Sequence, residues 1–147
     1  MAIRFAINDT ISVDQFIDLL RRSTLDRRRP IGDRGCIEGM LRYGNLLVTA
    51  RDGDRLVGVA RSVTDFCYVC FLSELAVDVD YQRRGIGREL LARTRRRLGP
   101  RCTLRLVSAP DAAGYYPAMG FARNTRCWEL GPRGDGEGLG SETPAQE

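Results

Sequence analysis

The stretch from Phe71 to Leu91 limits what this chain can fold into more than any other part of it. Phe71, Leu75, Val77 and Val79 alternate with Leu72, Glu74, Ala76 and Asp78, the two-faced pattern of a strand. Asp78-Val79-Asp80-Tyr81 then leads into Gln82-Arg83-Arg84 and two closely spaced glycines, Gly85-Ile86-Gly87. Beyond them Ile86, Leu90, Leu91 and Leu98 line up as one apolar stripe at helical spacing, and Gly99-Pro100 stops the helix. A further strand is predicted over Cys102 to Val107. Strand, glycine turn, helix and strand in this order form a crossover unit, which places the chain in the α/β class.

The first half predicts hairpins. Ile3 to Ala6 reads as a first strand. Ser12-Val13-Asp14-Gln15 reads as a capping box, and Val13, Phe16, Ile17 and Leu20 carry a helix to about Arg22. Thr24 to Asp33 is an arginine-rich loop, followed by a second short helix over Arg34 to Tyr43. Leu46 to Arg51 and Leu56 to Thr64 are strands joined by Asp52-Gly53-Asp54, where glycine accepts the positive φ of a tight hairpin. Near the end, Asp111 to Met119 predicts a short helix and Phe121 to Leu130 a last strand. From Gly131 onward the composition turns to Gly, Pro, Glu and Ser, and residues 131–147 are expected to form a disordered tail. The expectation is one domain over residues 1–130.

Composition removes several kinds of chemistry. All 23 basic residues are arginine, and the chain has neither lysine nor histidine. Lysine bases, Schiff bases, histidine triads and histidine metal sites are therefore excluded. Cys67-Tyr68-Val69-Cys70 has C-x-x-C spacing, but no second ligand pair lies at a spacing suited to zinc, and the run is strand-like where a redox motif opens a helix. Cys36, Cys67, Cys70, Cys102 and Cys127 are expected to be buried or half-buried packing residues, and no metal is expected. No apolar run approaches the roughly 20 residues of a membrane helix. The start, Met1-Ala2-Ile3-Arg4-Phe5, lacks the pattern of a signal peptide. The expected location is the cytoplasm, with no membrane partner.

The strand–turn–helix junction carries an anion site. Backbone N–H groups at a helix N-terminus have no internal partner, and the helix dipole adds positive potential. Glycines let phosphate oxygens approach closely, and Arg83, Arg84 and Arg88 add charge. Neither the P-loop pattern nor the three-glycine dinucleotide fingerprint is present.

This junction resembles the acetyl-CoA pyrophosphate loop of the GNAT superfamily of N-acetyltransferases, whose signature is Q/R-x-x-G-x-G/A. It is matched here by Gln82-Arg83-Arg84-Gly85-Ile86-Gly87, with Leu75-Ala76-Val77-Asp78 before it and Leu90-Leu91 after it. A second hallmark is similar to Tyr115-Tyr116-Pro117-Ala118-Met119-Gly120-Phe121. Likeness extends over about residues 3 to 130, with the motifs confined to 73–91 and 109–121. It implies a central mixed, mostly antiparallel sheet of six to seven strands flanked by about four helices.

It further implies an enzyme that moves an acetyl group from acetyl-CoA, the co-substrate, to a primary amine by direct attack in a ternary complex. Gln82, Arg83, Arg84, Gly85, Ile86, Gly87 and Arg88 would cradle the pyrophosphate. Backbone groups of Leu75, Ala76 and Val77 would pair with the pantetheine arm, with the Val77 N–H a candidate for the thioester oxygen. Tyr116 stands where many members keep the acid that protonates the leaving thiolate, and Tyr115 is expected to pack in the core. Glu74 is the candidate base, weighed against a salt-bridged strand glutamate, with Asp78 second and water as a further route. Ala109 replaces an asparagine that many members use on the CoA arm.

The acceptor is expected to be a small-molecule or protein amine, or an aminoacyl-tRNA. Arg27-Arg28-Arg29 lies in the region that lines the acceptor site in this superfamily, although a solvated arginine loop is the plainer reading. Two other functions fit parts of the sequence. One is a non-catalytic CoA-sensing module on the same fold. The other is a nucleic-acid-binding domain, against which stand the modest charge of +4, interleaved acidic residues and no recognition motif. A homodimer is expected only by analogy with the superfamily.

Overall fold

The computed structural model describes residues 2–134, which fall into two compact units divided between Ala112 and Ala113. The first unit is built on one sheet of five strands in sequence order: β1 (Ile3–Ile7), β2 (Leu46–Asp52), β3 (Arg55–Thr64), β4 (Val69–Val77) and β5 (Thr103–Arg105). Pairings are antiparallel up to β4, and β4 pairs with β5 in parallel. Two helices, α1 (Val13–Arg22) and α2 (Arg34–Tyr43), connect β1 to β2, and α3 (Ile86–Arg96) carries the crossover from β4 to β5.

Local sequence explains these elements. Ser12 Oγ accepts from the Gln15 N–H at 3.0 Å, and Gln15 Oε1 accepts from the Ser12 N–H at 2.9 Å, so the predicted capping box starts α1. Phe16, Ile17, Leu19 and Leu20 are its buried stripe. They meet Ile37 of α2 and Leu56, Val59 and Ala76 of the sheet in one core cluster. On the opposite face Ile86, Leu90 and Leu91 of α3 are buried. The β2–β3 hairpin turns at Gly53 with φ +57°.

The α/β class and mixed sheet agree with the sequence reading, but five strands and three α-helices stand among the described residues where six to seven and about four were expected. The differences lie at the C-terminal end. Instead of a helix over Asp111 to Met119 there are two 3₁₀ turns, Pro110–Ala112 and Pro117–Met119. Pro117 lacks the N–H that a longer helix needs, and Gly120 ends the second turn at φ +93°. Phe121 to Leu130 forms no strand. Asn124 Oδ1 accepts from the Arg126 N–H at 2.9 Å, a local bond that competes with a ladder. Trp128 is left 93% exposed. Of the predicted tail, residues 135–147 lie outside the described residues.

The cysteines also depart from expectation. Cys70 is buried and Cys102 half-buried, but Cys36, Cys67 and Cys127 are exposed. The C-x-x-C segment is loop at Cys67 and Tyr68 and strand only at Val69 and Cys70. Phe66 has φ +67°, and Asp65 Oδ1 accepts from the N–H groups of Cys67, Tyr68 and Val69 at 2.8–3.1 Å, so β4 starts only at Val69. Among the described residues no cluster of acidic or cysteine side chains suits a metal. No described helix is long and apolar enough to cross a membrane.

Candidate active site

The site grows from an irregularity in β4. Arg61 pairs with Glu74 and Ser62 with Leu72, so Ser73 is an extra residue in β4, a β-bulge. Neighbouring residues of β3 point to opposite faces, so the bulge puts Leu72 and Glu74 on different faces of the sheet. Beyond it, β4 leaves its outer neighbour, because pairing with β5 is confined to Val69, Cys70 and Phe71.

Backbone direction along the freed edge follows from one bond. The Asp78 N–H donates to the Val57 C=O at 2.9 Å. In an antiparallel ladder the outward and inward residues alternate, so Ala76 and Glu74 also turn their backbone groups to β3. Leu75 and Val77 turn theirs outward, and among the described residues no strand meets them there. Two carbonyls on this side are occupied: Ser73 by Arg29 Nη2 at 2.7 Å and Val77 by Gln82 Nε2 at 3.1 Å. Of the three residues expected to pair with an extended ligand, Leu75 and Val77 are so placed, whereas Ala76 is buried and faces β3.

The edge runs into the anion cradle through Asp78. Its carboxylate is 1% exposed and bonds Arg22, Arg55 (3.2 Å) and the Asp80 N–H (2.9 Å). Burial pushes the Asp78 carboxyl up, but the Asp80 amide and the two guanidiniums outweigh it and hold the group below its usual range. A 3₁₀ turn, Val79–Tyr81, follows. The Tyr81 hydroxyl anchors it by donating to Asp52 Oδ2 at 2.6 Å.

Arg83 (φ +63°) and Gly85 (φ +80°) are both left-handed, with Arg84 between them. Such alternation gathers successive N–H groups into a concavity. Gly85 is also the N-cap of α3, without a side-chain cap, so the first-turn N–H groups are uncapped. A Cβ at Gly85 would meet nothing within 4 Å. The space in front of the cradle is therefore open, and glycine is needed there for its φ. Arg83, Arg84 and Arg88 are exposed around it, with the Arg84 guanidinium 5.3 Å from the Tyr81 ring centroid. Backbone N–H donors and guanidinium cations thus gather around an open space, a combination that suits an anion.

Glu74, the candidate base, is 1% exposed. Arg61 Nε bonds its Oε1, while Arg29 Nε (2.8 Å) and Ser73 Oγ (2.7 Å) bond its Oε2. This is the arrangement of the salt-bridged strand glutamate weighed beside the base role. Arg29 was legible only as part of an exposed arginine run. Its partners lie 45 and 44 residues away, and no local signal marks such a contact. Arg61 and Arg22 were missed for the same reason.

Tyr116 belongs to the second unit. It is half-buried, with its ring edge-on to Tyr115 and Phe121, both at 5.3 Å between centroids. The Phe121 N–H donates to the Tyr116 C=O at 3.1 Å. Tyr115 is 42% exposed, contrary to the expected core position, because it flanks a turn of only one 3₁₀ pitch.

A bulged strand thus opens beside an uncapped helix N-terminus in a mixed sheet, an edge and an anion-suited turn side by side. The family model of the acetyltransferase (GNAT) domain matches residues 43–123, more than half of the chain. The chain belongs to the GNAT acetyltransferase family and is an acyltransferase. That family uses acetyl-CoA as donor.

Solved structures share the fold. A "Probable Acetyltransferase" from meticillin-resistant Staphylococcus aureus is 18% identical, with 90% of this chain and 99% of that one covered at a TM-score of 0.74. The aminoglycoside N-acetyltransferase AAC(6')-Iy in complex with CoA is 18% identical, with 90% and 95% covered at 0.66. An aminoglycoside acetyltransferase from an uncultured soil metagenomic sample, in complex with sisomicin, is 16% identical, with 89% and 97% covered at 0.63. No curated protein matches by sequence.

Proposed function

We propose that this chain binds acetyl-CoA along the outer edge of β4 and transfers its acetyl group to a primary amine by direct attack within a ternary complex. The observation that carries this reading is the continuity of the open Leu75–Val77 edge with the cradle at Gly85. When bound, the donor supplies an activated acyl group as a thioester. Residues Gln82 to Arg88 hold its pyrophosphate, and the Leu75 and Val77 backbone groups align its arm. The Val77 N–H, pointing outward, is the donor assigned to the thioester oxygen as negative charge develops there.

An ammonium of pKa about 10 must lose its proton before it attacks. Glu74 and Asp78 were the candidate bases, and each has its carboxylate held by two guanidiniums. Every oxygen of the two carboxylates already accepts hydrogen bonds, so an amine meets neither until a partner moves. We therefore assign amine deprotonation to water at the site, with Glu74 shaping the strand. Tyr116 is assigned as the acid for the departing thiolate. Its support is the motif Tyr115 to Phe121 and the two rings that brace it. The acceptor class we favour is a small-molecule amine, as two similar folds are aminoglycoside acetyltransferases.

The test is calorimetric titration of acetyl-CoA and CoA into wild type and Gly85→Glu, followed by thiol release with amines such as sisomicin. Micromolar binding that Gly85→Glu abolishes, with the far-UV spectrum unchanged, is expected. Tyr116→Phe should keep donor affinity and slow thiol release by about a hundredfold, the usual size of a general acid's contribution. A wild-type protein that binds no acetyl-CoA would sink the donor site.

A further inference from the structure

At the bulge, the outer edge of β4 is fastened by a side chain from another element. Ser73, the extra residue of the bulge, turns its carbonyl outward to Arg29 Nη2 at 2.7 Å, while Arg29 Nε holds Glu74 Oε2 at 2.8 Å. One guanidinium thus spans the backbone of the bulge residue and the side chain of the next. Arg29 stands in the connector between α1 and α2 and is 19% exposed. From the other side, Arg61 holds Glu74 Oε1 and reaches the Met40 carbonyl at 2.9 Å. Gly44 leaves room for that side chain, since a Cβ there would lie 2.9 Å from Arg61 Nη1.

The extra residue sets which residues of β4 beyond it face out. Losing the bulge slips the register of β4 by one residue beyond Leu72 and exchanges its inward and outward sets there, presenting Ala76 in place of Leu75 and Val77. We propose that Arg29 is a positioning residue for the donor: by clamping Ser73 and Glu74 it fixes the bulge, and with it the register in which the open edge meets the donor's arm. This rests on the donor-binding reading above. The cradle at Gly85 does not depend on it, because Asp78 and Tyr81 anchor that turn through Arg22, Arg55 and Asp52.

The two parts of the site separate by ligand. Acetyl-CoA engages both edge and cradle, whereas ADP carries a pyrophosphate without the arm. Calorimetric titration of each into wild type, Arg29→Gln and Arg29→Lys provides the test. In Arg29→Gln, acetyl-CoA affinity should fall about tenfold, the scale of one charge-assisted hydrogen bond, while ADP affinity stays within about twofold. Arg29→Lys should lie between, because lysine keeps the charge on Glu74 without the planar fork that reaches Ser73 as well.

Unchanged acetyl-CoA affinity in Arg29→Gln overturns the proposal and leaves the donor site standing. An equal loss for both ligands also overturns it, since a general loosening of the fold would act on both. A wild-type protein that binds neither ligand overturns the donor reading itself, a result of a different kind from either.

Discussion

Glu74 and Asp78 lie four residues apart on the same side of the chain, and each meets two arginines brought from other elements. Burying a carboxylate is tolerable only when it is paired, and removing one partner of such a pair leaves an uncompensated charge. Asp78→Asn should therefore destabilise the protein by about 3 kcal/mol at pH 7, measured by urea unfolding. The pH dependence has a fixed sign. The Asp78 carboxyl is depressed in the folded state, so its contribution is present above the unfolded value of about 3.9 and is lost as pH falls through the lower folded value. Wild type should weaken as pH drops below about 4, and Asp78→Asn should weaken less over the same interval. An identical slope in both proteins would remove Asp78 from the acid transition. The sequence placed both carboxylates on the strand, but their cations come from residues 13 to 56 positions away. Pairing at that range depends on how helices and strands stack, which no spacing rule encodes.

At the scale of elements, the close approach of α3 to the sheet depends on Gly58. A Cβ there would lie 3.0 Å from Leu90 Cδ1 and 3.3 Å from Ile86 Cγ2. Gly58→Val should push α3 outward at a cost of about 1–3 kcal/mol, lowering Tm by about 2–4 °C for each kcal/mol. Acetyl-CoA affinity should fall with it, because the cradle is the N-terminus of that helix. Gly58→Ala should cost less, since Leu90 Cδ1 is the flexible end of its side chain. An unaltered melting temperature in the valine variant would mean that α3 sits on the sheet with slack. Elements with strong local signals were legible: the Ser12–Gln15 box, the Gly53 turn and the glycine-capped start of α3 all stand where the sequence puts them. The bulge at Ser73 was not, because nothing in Leu72-Ser73-Glu74 marks an extra residue until β3 is laid beside it. The predicted last strand failed for a related reason. A β-rich run becomes a strand only with a ladder partner, and Asn124 offers the backbone a local bond instead.

For the chain as a whole, the five thiols report how tightly the structure is closed. Cys36, Cys67 and Cys127 are exposed, Cys102 is half-buried, and burial pushes the Cys70 thiol up. Three equivalents should react quickly with a disulfide reagent in the native protein, Cys102 more slowly, and Cys70 only on unfolding. Fast reaction of Cys70 would mean that the β4–β5 corner opens in solution. A different chemical property follows from the ion pairs. Every cation in the pairs of the described residues, including the two on Glu74, is a guanidinium. Guanidinium stays protonated at any physiological pH and is no nucleophile, whereas a lysine amine in the same place would be a substrate for a thioester. The clamps that give this acyltransferase its shape are thus inert to the reagent its family consumes, so prolonged exposure to activated acyl groups leaves its internal charge network uncapped and intact.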